Sequence, residues 1–107
     1  MITTKQRSYL RGLAHDLEPV VYIGKQGMTD NILLEMERTL ESRELIKVKL
    51  QDGCELDPKD AANQAAASLQ AEYVQSIGKK FVLYRASKEH PQIELPRPAR
   101  TSRKERP

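Results

Sequence analysis

The sequence predicts an α/β fold of the two-layer α+β type, in which helices pack on a four-stranded mixed sheet. Three segments repeat apolar residues at helical spacing, and four shorter segments alternate or are continuously apolar, in the order α-β-α-β-α-β-β. The first β-α units imply right-handed parallel crossovers, whereas the last two strands imply an antiparallel hairpin. The length of 107 residues suits one domain, which buries enough surface to fold without a metal or a disulfide.

The first half of the chain contains two predicted helices and the strand between them. The first helix runs from Thr4 to Leu17, because its leucines share one stripe, and Pro19 stops it. Val20 to Ile23 is a short buried strand. Thr29 has the residue type of an N-cap, so the second helix follows it. We interpret the glutamates of this helix as its solvated face; they are Glu35, Glu37, Glu41 and Glu44.

Leu45 to Leu50 is the second predicted strand, since its apolar residues alternate with Lys47 and Lys49. Two lysines on one strand face either keep that face soluble or contact phosphate. If all the helices cover the other face of the sheet, Tyr22, Lys47 and Lys49 lie on its open face.

The third helix and the terminal hairpin complete the pattern. Asp57 and Pro58 suit the N-cap and the first position of a helix, and the alanine-rich stripe that follows extends to Tyr73. Val74 to Ile77 and Lys80 to Arg85 are the last two predicted strands. The final strand is continuously apolar in its centre, so we place it inside the sheet.

Composition narrows the class of protein and its location. Cys54 is the only cysteine, so neither a disulfide framework nor a CxxC metal site is expected. No apolar run approaches the roughly 20 residues that span a bilayer, and the N-terminus lacks the apolar core of a signal peptide. We therefore expect a cytoplasmic protein with no membrane partner.

The net charge of +3 is unevenly distributed along the chain. Residues 1–85 hold twelve basic and twelve acidic residues, whereas residues 86–107 hold six basic and three acidic ones. Within the neutral body, basic residues dominate the first helix, the glycine loop and the later strands. A neutral body with a basic side favours a polyanionic partner.

The segment Gly24-Lys25-Gln26-Gly27 is the main candidate for a binding site. It lies between a strand and a helix, so its backbone N–H groups and the positive end of a helix dipole can face an anion. With Lys25 at its tip, the loop suits a phosphate. The alternative is that the two glycines only turn the chain, since short glycine motifs often occur without function.

The first helix carries a second group of candidate residues. Arg7, Arg11 and His15 follow one another at four-residue intervals along one flank. This flank is either an ordinary solvated face or an extension of the basic surface.

Six short segments of the chain occur in an order that is similar to a known family. They are Leu10-Arg11-Gly12-Leu13-Ala14-His15, residues 19–24, Gly24-Lys25-Gln26-Gly27, Glu44-Leu45-Ile46-Lys47-Val48-Lys49, Val74-Gln75-Ser76-Ile77-Gly78 and Leu83-Tyr84-Arg85. This series resembles the CRM domain (chloroplast RNA splicing and ribosome maturation), in its stand-alone bacterial form, the YhbY family. The resemblance covers about residues 4–88.

The resemblance implies a four-stranded mixed sheet similar to that of the C-terminal domain of translation initiation factor 3. It also implies RNA binding and association with precursors of the large ribosomal subunit, with no enzymatic activity and no cofactor. We expect no small-molecule substrate and no metal, and we expect a monomer. Residues 1–95 are expected to form one RNA-binding domain, and residues 96–107 a disordered basic tail rich in proline and arginine.

The resemblance carries the RNA contact onto the four loop residues Gly24, Lys25, Gln26 and Gly27. From their charge we add further candidate RNA-binding residues: Arg7, Arg11, His15, Lys47, Lys49 and Arg85.

Two other functions are compatible with the pattern. A protein-interaction adaptor would use the acidic second helix or the open sheet face. A nucleotide-processing enzyme would use the glycine loop for a mononucleotide, but the loop lacks the longer GxxxxGK[ST] cradle of such enzymes.

Overall fold

The computed structural model describes residues 2–96, which form three helices and four strands. In chain order the elements are α1 (Thr4–Ala14), β1 (Val21–Ile23), α2 (Asp30–Arg43), β2 (Leu45–Leu50), α3 (Pro58–Leu69), β3 (Glu72–Ile77) and β4 (Lys80–Tyr84). The predicted order of helices and strands is therefore confirmed.

The four strands form one mixed sheet in the order β1-β2-β4-β3. β1 is parallel to β2, whereas β4 is antiparallel to both β2 and β3. The connection through α3 leaves room for β4 between β2 and β3. The mixed sheet is confirmed, and so is the inner position of β4, whose residues from Phe81 to Tyr84 are all buried.

The larger core lies between the sheet and the helix pair α2 and α3. Met36 and Leu40 of α2 are fully buried there, in one cluster with Ile46 and Val48 of β2 and Phe81 of β4. From α3 the cluster receives small side chains, which let the helix approach the sheet closely: Ala61, Ala62, Ala65 and Ala66. The helix begins as predicted, with Asp57 as its N-cap and Pro58 in its first turn.

α1 packs on the opposite face of the sheet. Leu10 and Ala14 are fully buried there in a second cluster with Leu45, Val82 and Tyr84. These strand residues alternate with those of the larger core, so their side chains point to the other face. The structure thus differs from the two-layer expectation, because one end of the second face is apolar and α1 covers it. No other element within residues 2–96 covers the other end of that face.

Two predicted helix boundaries are wrong. α1 ends at Ala14, because the amides of His15 and Leu17 donate only three residues back, in tight turns. α3 ends at Leu69, where Gln70 adopts the left-handed conformation with φ 57°. Tyr73 therefore lies in β3 and not in the helix.

Residues 86–96, which we call the C-terminal segment, are fastened to the end of α2. The buried carboxylate of Glu44 accepts backbone N–H bonds from Ser87 (2.6 Å), Gln92 (2.8 Å) and Ile93 (2.7 Å). Burial raises the pKa of the Glu44 carboxyl, but these three donors lower it by more, so the net shift is downward. Ile93 and Leu95 then pack against the second cluster.

A second carboxylate of α2 holds the same segment. Glu41 accepts hydrogen bonds from the backbone N–H of Lys88 (3.1 Å) and the hydroxyl of Ser87 (2.8 Å), and these donors lower its pKa. The interpretation of the α2 glutamates as a solvated face is therefore wrong for Glu41 and Glu44, which have structural partners, and for Glu37, which pairs with Arg85. Glu35 is exposed, as that interpretation requires.

The predicted disordered tail lies outside the described residues from position 97 onward. Within residues 2–96, no helix is both long enough and apolar enough to cross a membrane. The same residues contain no group of three or more His, Cys, Asp or Glu side chains that could hold a metal ion.

Candidate nucleic-acid interface

The GxxG loop, residues 24–27, is a tight turn between β1 and α2. The Gly27 N–H donates to the Gly24 carbonyl at 3.0 Å, and Gly27 has a φ of +78°, which glycine adopts without strain. Thr29 then caps α2, since its hydroxyl oxygen accepts from the Ile32 N–H at 3.2 Å. The N-terminus of α2 therefore follows the loop almost directly.

Several backbone N–H groups around this turn have no acceptor within residues 2–96; they belong to Lys25, Gln26, Met28, Asp30 and Asn31. Unpaired N–H groups at a helix N-terminus, together with the helix dipole, form a site that favours an anion. A concavity of about 380 Å³ opens beside them and is lined by all four loop residues. Two exposed acidic residues oppose an anion here, since Glu35 lines the same concavity and Asp30 lies in the first turn of α2.

A second turn supports the loop from the side. It follows β2, and within it the Cys54 N–H donates to the Gln51 carbonyl at 3.0 Å. Gly53 has a φ of +92°, and a Cβ at that position would lie 3.7 Å from the Cβ of Lys25. The stem of Lys25 therefore rests on Gly53. This packing holds the lysine in place while its side chain remains exposed.

The basic side chains of the sheet lie at the same end of the sheet as the GxxG loop. Tyr22 pairs with Lys49, and Lys49 pairs with Lys80, so the three side chains stand in one row on the α1 face. The hairpin between β3 and β4 lies beside the end of β2, because the Leu50 N–H donates to the Lys79 carbonyl at 2.7 Å. We call this surface the open sheet corner; its residues are Tyr22, Lys47, Lys49, Lys79 and Lys80.

The open sheet corner carries an excess of positive charge. None of its lysines forms an ion pair or a side-chain hydrogen bond with another residue of the 2–96 range. Lys25 likewise has no such partner in this part of the chain. The four lysines of the corner and Lys25 are therefore available at one end of the molecule, where their ammonium groups attract a polyanion.

The structure separates the candidate residues of α1 from one another. His15, at the end of the helix, lines a concavity together with Lys47 and Lys80 and so borders the open sheet corner. Arg11 is exposed one turn earlier. Arg7 is directed elsewhere, since its Nε–H donates to the Tyr73 carbonyl of β3 at 3.1 Å.

Arg85 lies apart from this surface, and its role in RNA binding stays a prediction, which its pairing with acidic residues of α2 disfavours. Its guanidinium donates to both carboxylate oxygens of Glu37, at 2.8 and 3.0 Å, and to the Leu69 carbonyl at 3.1 Å. This pairing raises the pKa of Arg85 and lowers that of Glu37. Arg85 therefore links β4 to α2 and α3. The positive charge alone could not reveal that an acidic partner lies on the helix above it.

Sequence reasoning missed Lys79 and Lys80 as candidates for the interface, although both line a concavity of the open sheet corner. A signal for them was present, since two consecutive lysines follow Gly78 in a predicted hairpin turn. Their position near the other lysines depends on the strand order, because only the pairing of β4 with β2 brings Lys80 beside Lys49.

The CRS1 / YhbY (CRM) domain profile matches residues 2–85 of the chain. The chain belongs to the CRS1 / YhbY (CRM) domain family. This assignment confirms the resemblance found in the sequence. Among its relatives is Probable RNA-binding protein YqeI of Bacillus subtilis (strain 168), 45% identical over 96 residues that cover 90% of this chain and 100% of the relative.

A second relative, named RNA-binding protein, comes from Haemophilus influenzae and is 44% identical over 97 residues, or 90% of this chain and 96% of the relative. The fold is also similar to a solution structure, that of the hypothetical protein SAV1595 from Staphylococcus aureus, a putative RNA binding protein. That comparison has a TM-score of 0.77 at 45% identity and covers 90% of this chain and 100% of that one.

Proposed function

We propose that this CRM-domain chain binds structured RNA by gripping its phosphate backbone, and that it acts without catalysis in the assembly of the large ribosomal subunit. The observation that carries the proposal is the GxxG loop, whose unpaired N–H groups meet the N-terminus of α2 beside Lys25. Its relatives are named as RNA-binding proteins, which supports the same class of ligand.

The geometry favours contact with phosphates over contact with base edges. Backbone N–H groups and lysine ammonium groups recognise phosphate oxygens in any sequence. The open sheet corner extends the positive charge of the loop across β2 and β4, so a strand of RNA can be held at several points. We therefore infer recognition of RNA shape, with modest sequence preference.

The proposed location rests on the composition, and the proposed association with ribosomal precursors rests on the family resemblance. We propose that the chain is a cytoplasmic monomer, that its domain comprises residues 1–95, and that the basic residues beyond it add attraction to RNA. The RNA is proposed to be ribosomal RNA in precursors of the large subunit. The adaptor hypothesis loses support, because Glu37 and Glu41 of the acidic helix are occupied by Arg85 and the C-terminal segment.

Charge reversal at the loop tests this function. Lys25→Glu should lower the affinity for a structured RNA by about tenfold or more at about 0.1 M salt, because it replaces an attraction to phosphate by a repulsion. Its thermal unfolding midpoint should stay within a few degrees of wild type, since the side chain is exposed.

Arg38→Glu is the matched control, because Arg38 is exposed on α2 outside both the loop and the open sheet corner. It makes the same change of net charge and should lower RNA affinity much less. Equal losses in the two variants would show that only net charge matters. An unchanged affinity of the Lys25 variant would refute the role of the loop. Sedimentation of the tagged chain together with precursors of the large ribosomal subunit would test the proposed association with them.

A further inference from the structure

A second concavity, of about 330 Å³, opens on the part of the sheet that α1 leaves uncovered. We call it the hairpin pocket, because the turn between β3 and β4 forms one side of it. Its cationic wall consists of Lys47, Lys79 and Lys80, and His15 lies beside them in the lining. The GxxG loop is not part of its lining.

The rest of the hairpin pocket is apolar with one amide. Val82, which is buried, and Ile77 line it, and Gln75 adds an amide that both donates and accepts hydrogen bonds. Ile77 is 67% exposed although it is a large apolar residue in a strand. Nothing in residues 2–96 covers it, so its apolar surface is available to a ligand.

These features match the parts of one nucleotide. A base has flat apolar faces and an edge of donors and acceptors, and its flanking phosphates are negatively charged. Ile77 suits a face, Gln75 suits an edge, and the lysines suit the phosphates. The volume is at the lower limit of small-molecule pockets, so it fits a single nucleotide unit better than a longer segment.

A continuous row of exposed side chains leads from the GxxG loop to this pocket. Tyr22, Lys49, Lys80 and Ile77 are successive partners across β1, β2, β4 and β3. Four strands spaced by about 4.8 Å make this row about 14 Å long. Open faces of four-stranded sheets in other RNA-binding folds accommodate two or three unstacked bases.

We propose that the hairpin pocket binds an unpaired nucleotide of the RNA whose backbone the GxxG loop grips. The chain would then select structured RNA that carries a single-stranded extension. This inference rests on the proposed function. An acidic peptide would meet the same positive charge, but one nucleotide combines a flat apolar face for Ile77, a donor–acceptor edge for Gln75 and a phosphate for the lysines, so we favour RNA.

The test compares two fluorescent RNA probes by anisotropy, a blunt hairpin and the same hairpin with a short single-stranded uridine extension. For the wild-type chain, the extension should raise the affinity by about tenfold, which is typical of one well-packed base. Ile77→Ala should remove most of this gain and leave the affinity for the blunt hairpin unchanged. Leu34→Ala is the matched control for Ile77→Ala, because Leu34 is also a large apolar residue, 47% exposed, but lies on α2.

The outcomes separate the inference from the function on which it rests. If the blunt hairpin binds and depends on Lys25, but the extension adds nothing or its gain survives Ile77→Ala, the inference is overturned and the proposed function stands. If neither probe binds, the proposed function fails and the inference fails with it. Displacement of the extended probe from the pocket by an acidic peptide, with no displacement by a uridine oligonucleotide, would also overturn the inference. Chemical-shift changes at Ile77 and Gln75 on adding the uridine oligonucleotide would support it.

Discussion

Glu44→Gln should destabilise the fold strongly, although it alters only one functional group. The carboxylate is 1% exposed and accepts backbone N–H groups on both of its oxygens. One oxygen accepts from Ser87, and the other accepts from Gln92 and Ile93. Glutamine keeps one acceptor oxygen and replaces the other with an NH₂ donor. Whichever way the amide is turned, its NH₂ faces a backbone N–H donor, that of Ser87 in one orientation and those of Gln92 and Ile93 in the other.

The magnitude follows from the groups that lose a partner. A hydrogen bond to a charged group contributes about 1.5–3 kcal/mol, and a buried donor without an acceptor costs about 1–3 kcal/mol. At least one such bond is lost, so we expect a loss of about 2–4 kcal/mol in the free energy of unfolding. For a domain of this size, the loss corresponds to a fall in Tm of roughly 10–20 °C.

The effect should depend on pH in a defined direction. The pKa of the Glu44 carboxyl is lower in the folded chain than its ordinary value of 4.5, so its contribution is fully present above that value. As the pH falls, the unfolded chain takes up the proton first, and the contribution is lost as the pH passes through the folded-state pKa. The difference between wild type and Glu44→Gln should therefore be full at pH 7 and narrow below about pH 4.5.

Urea unfolding followed by circular dichroism measures this difference at each pH. Glu35→Gln is the control on the same helix, since Glu35 is exposed, and it should change the free energy of unfolding by less than about 0.5 kcal/mol. Equal and small effects of the two variants, without dependence on pH, would refute the role of Glu44 as the anchor of the C-terminal segment.

Three other predictions concern the loop and its surroundings. Gly27→Ala should cost about 1–2 kcal/mol in the free energy of unfolding and weaken RNA binding, because Gly27 has a φ of +78°. Gly24→Ala should cost less, because Gly24 has no positive φ to maintain. Urea unfolding compares the two variants. Arg85→Lys should lower the free energy of unfolding by about 1–3 kcal/mol, because it loses the bidentate bond to Glu37. A binding titration should find its RNA affinity unchanged, and a selective loss of affinity would place Arg85 at the interface. Asp30→Asn should raise RNA affinity a few-fold while lowering stability by about 0.3–1 kcal/mol, and a weaker complex would contradict an anion site at this helix end.

The sequence was sufficient to predict the elements and the loop because their signals are local. Apolar periodicity and caps depend on neighbouring residues, so α2 begins behind Thr29 and α3 behind Asp57 as expected. The continuous apolar run of the last strand likewise indicated its inner position, since Phe81 to Tyr84 are buried in cores on both faces of the sheet, between two neighbouring strands.

What could not be predicted depends on contacts between distant positions. The pairing of Arg85 with Glu37 joins residues 48 positions apart, and neither residue indicates the other in the sequence. The same applies to Glu44, whose partners lie in a segment with no regular pattern. The charge of Lys80 was visible, but its place beside Lys49 required the strand order.

The dependence of RNA affinity on salt concentration tests the central claim most directly, since phosphate contacts release counterions in proportion to their number. If roughly five phosphates are held, log affinity should fall with log salt at a slope of about −4 for the wild-type chain. Lys25→Ala should make that slope shallower by about 1, whereas Arg38→Ala should leave it unchanged. A complex whose affinity is independent of salt, or a slope that does not change when Lys25 is lost, would contradict the account.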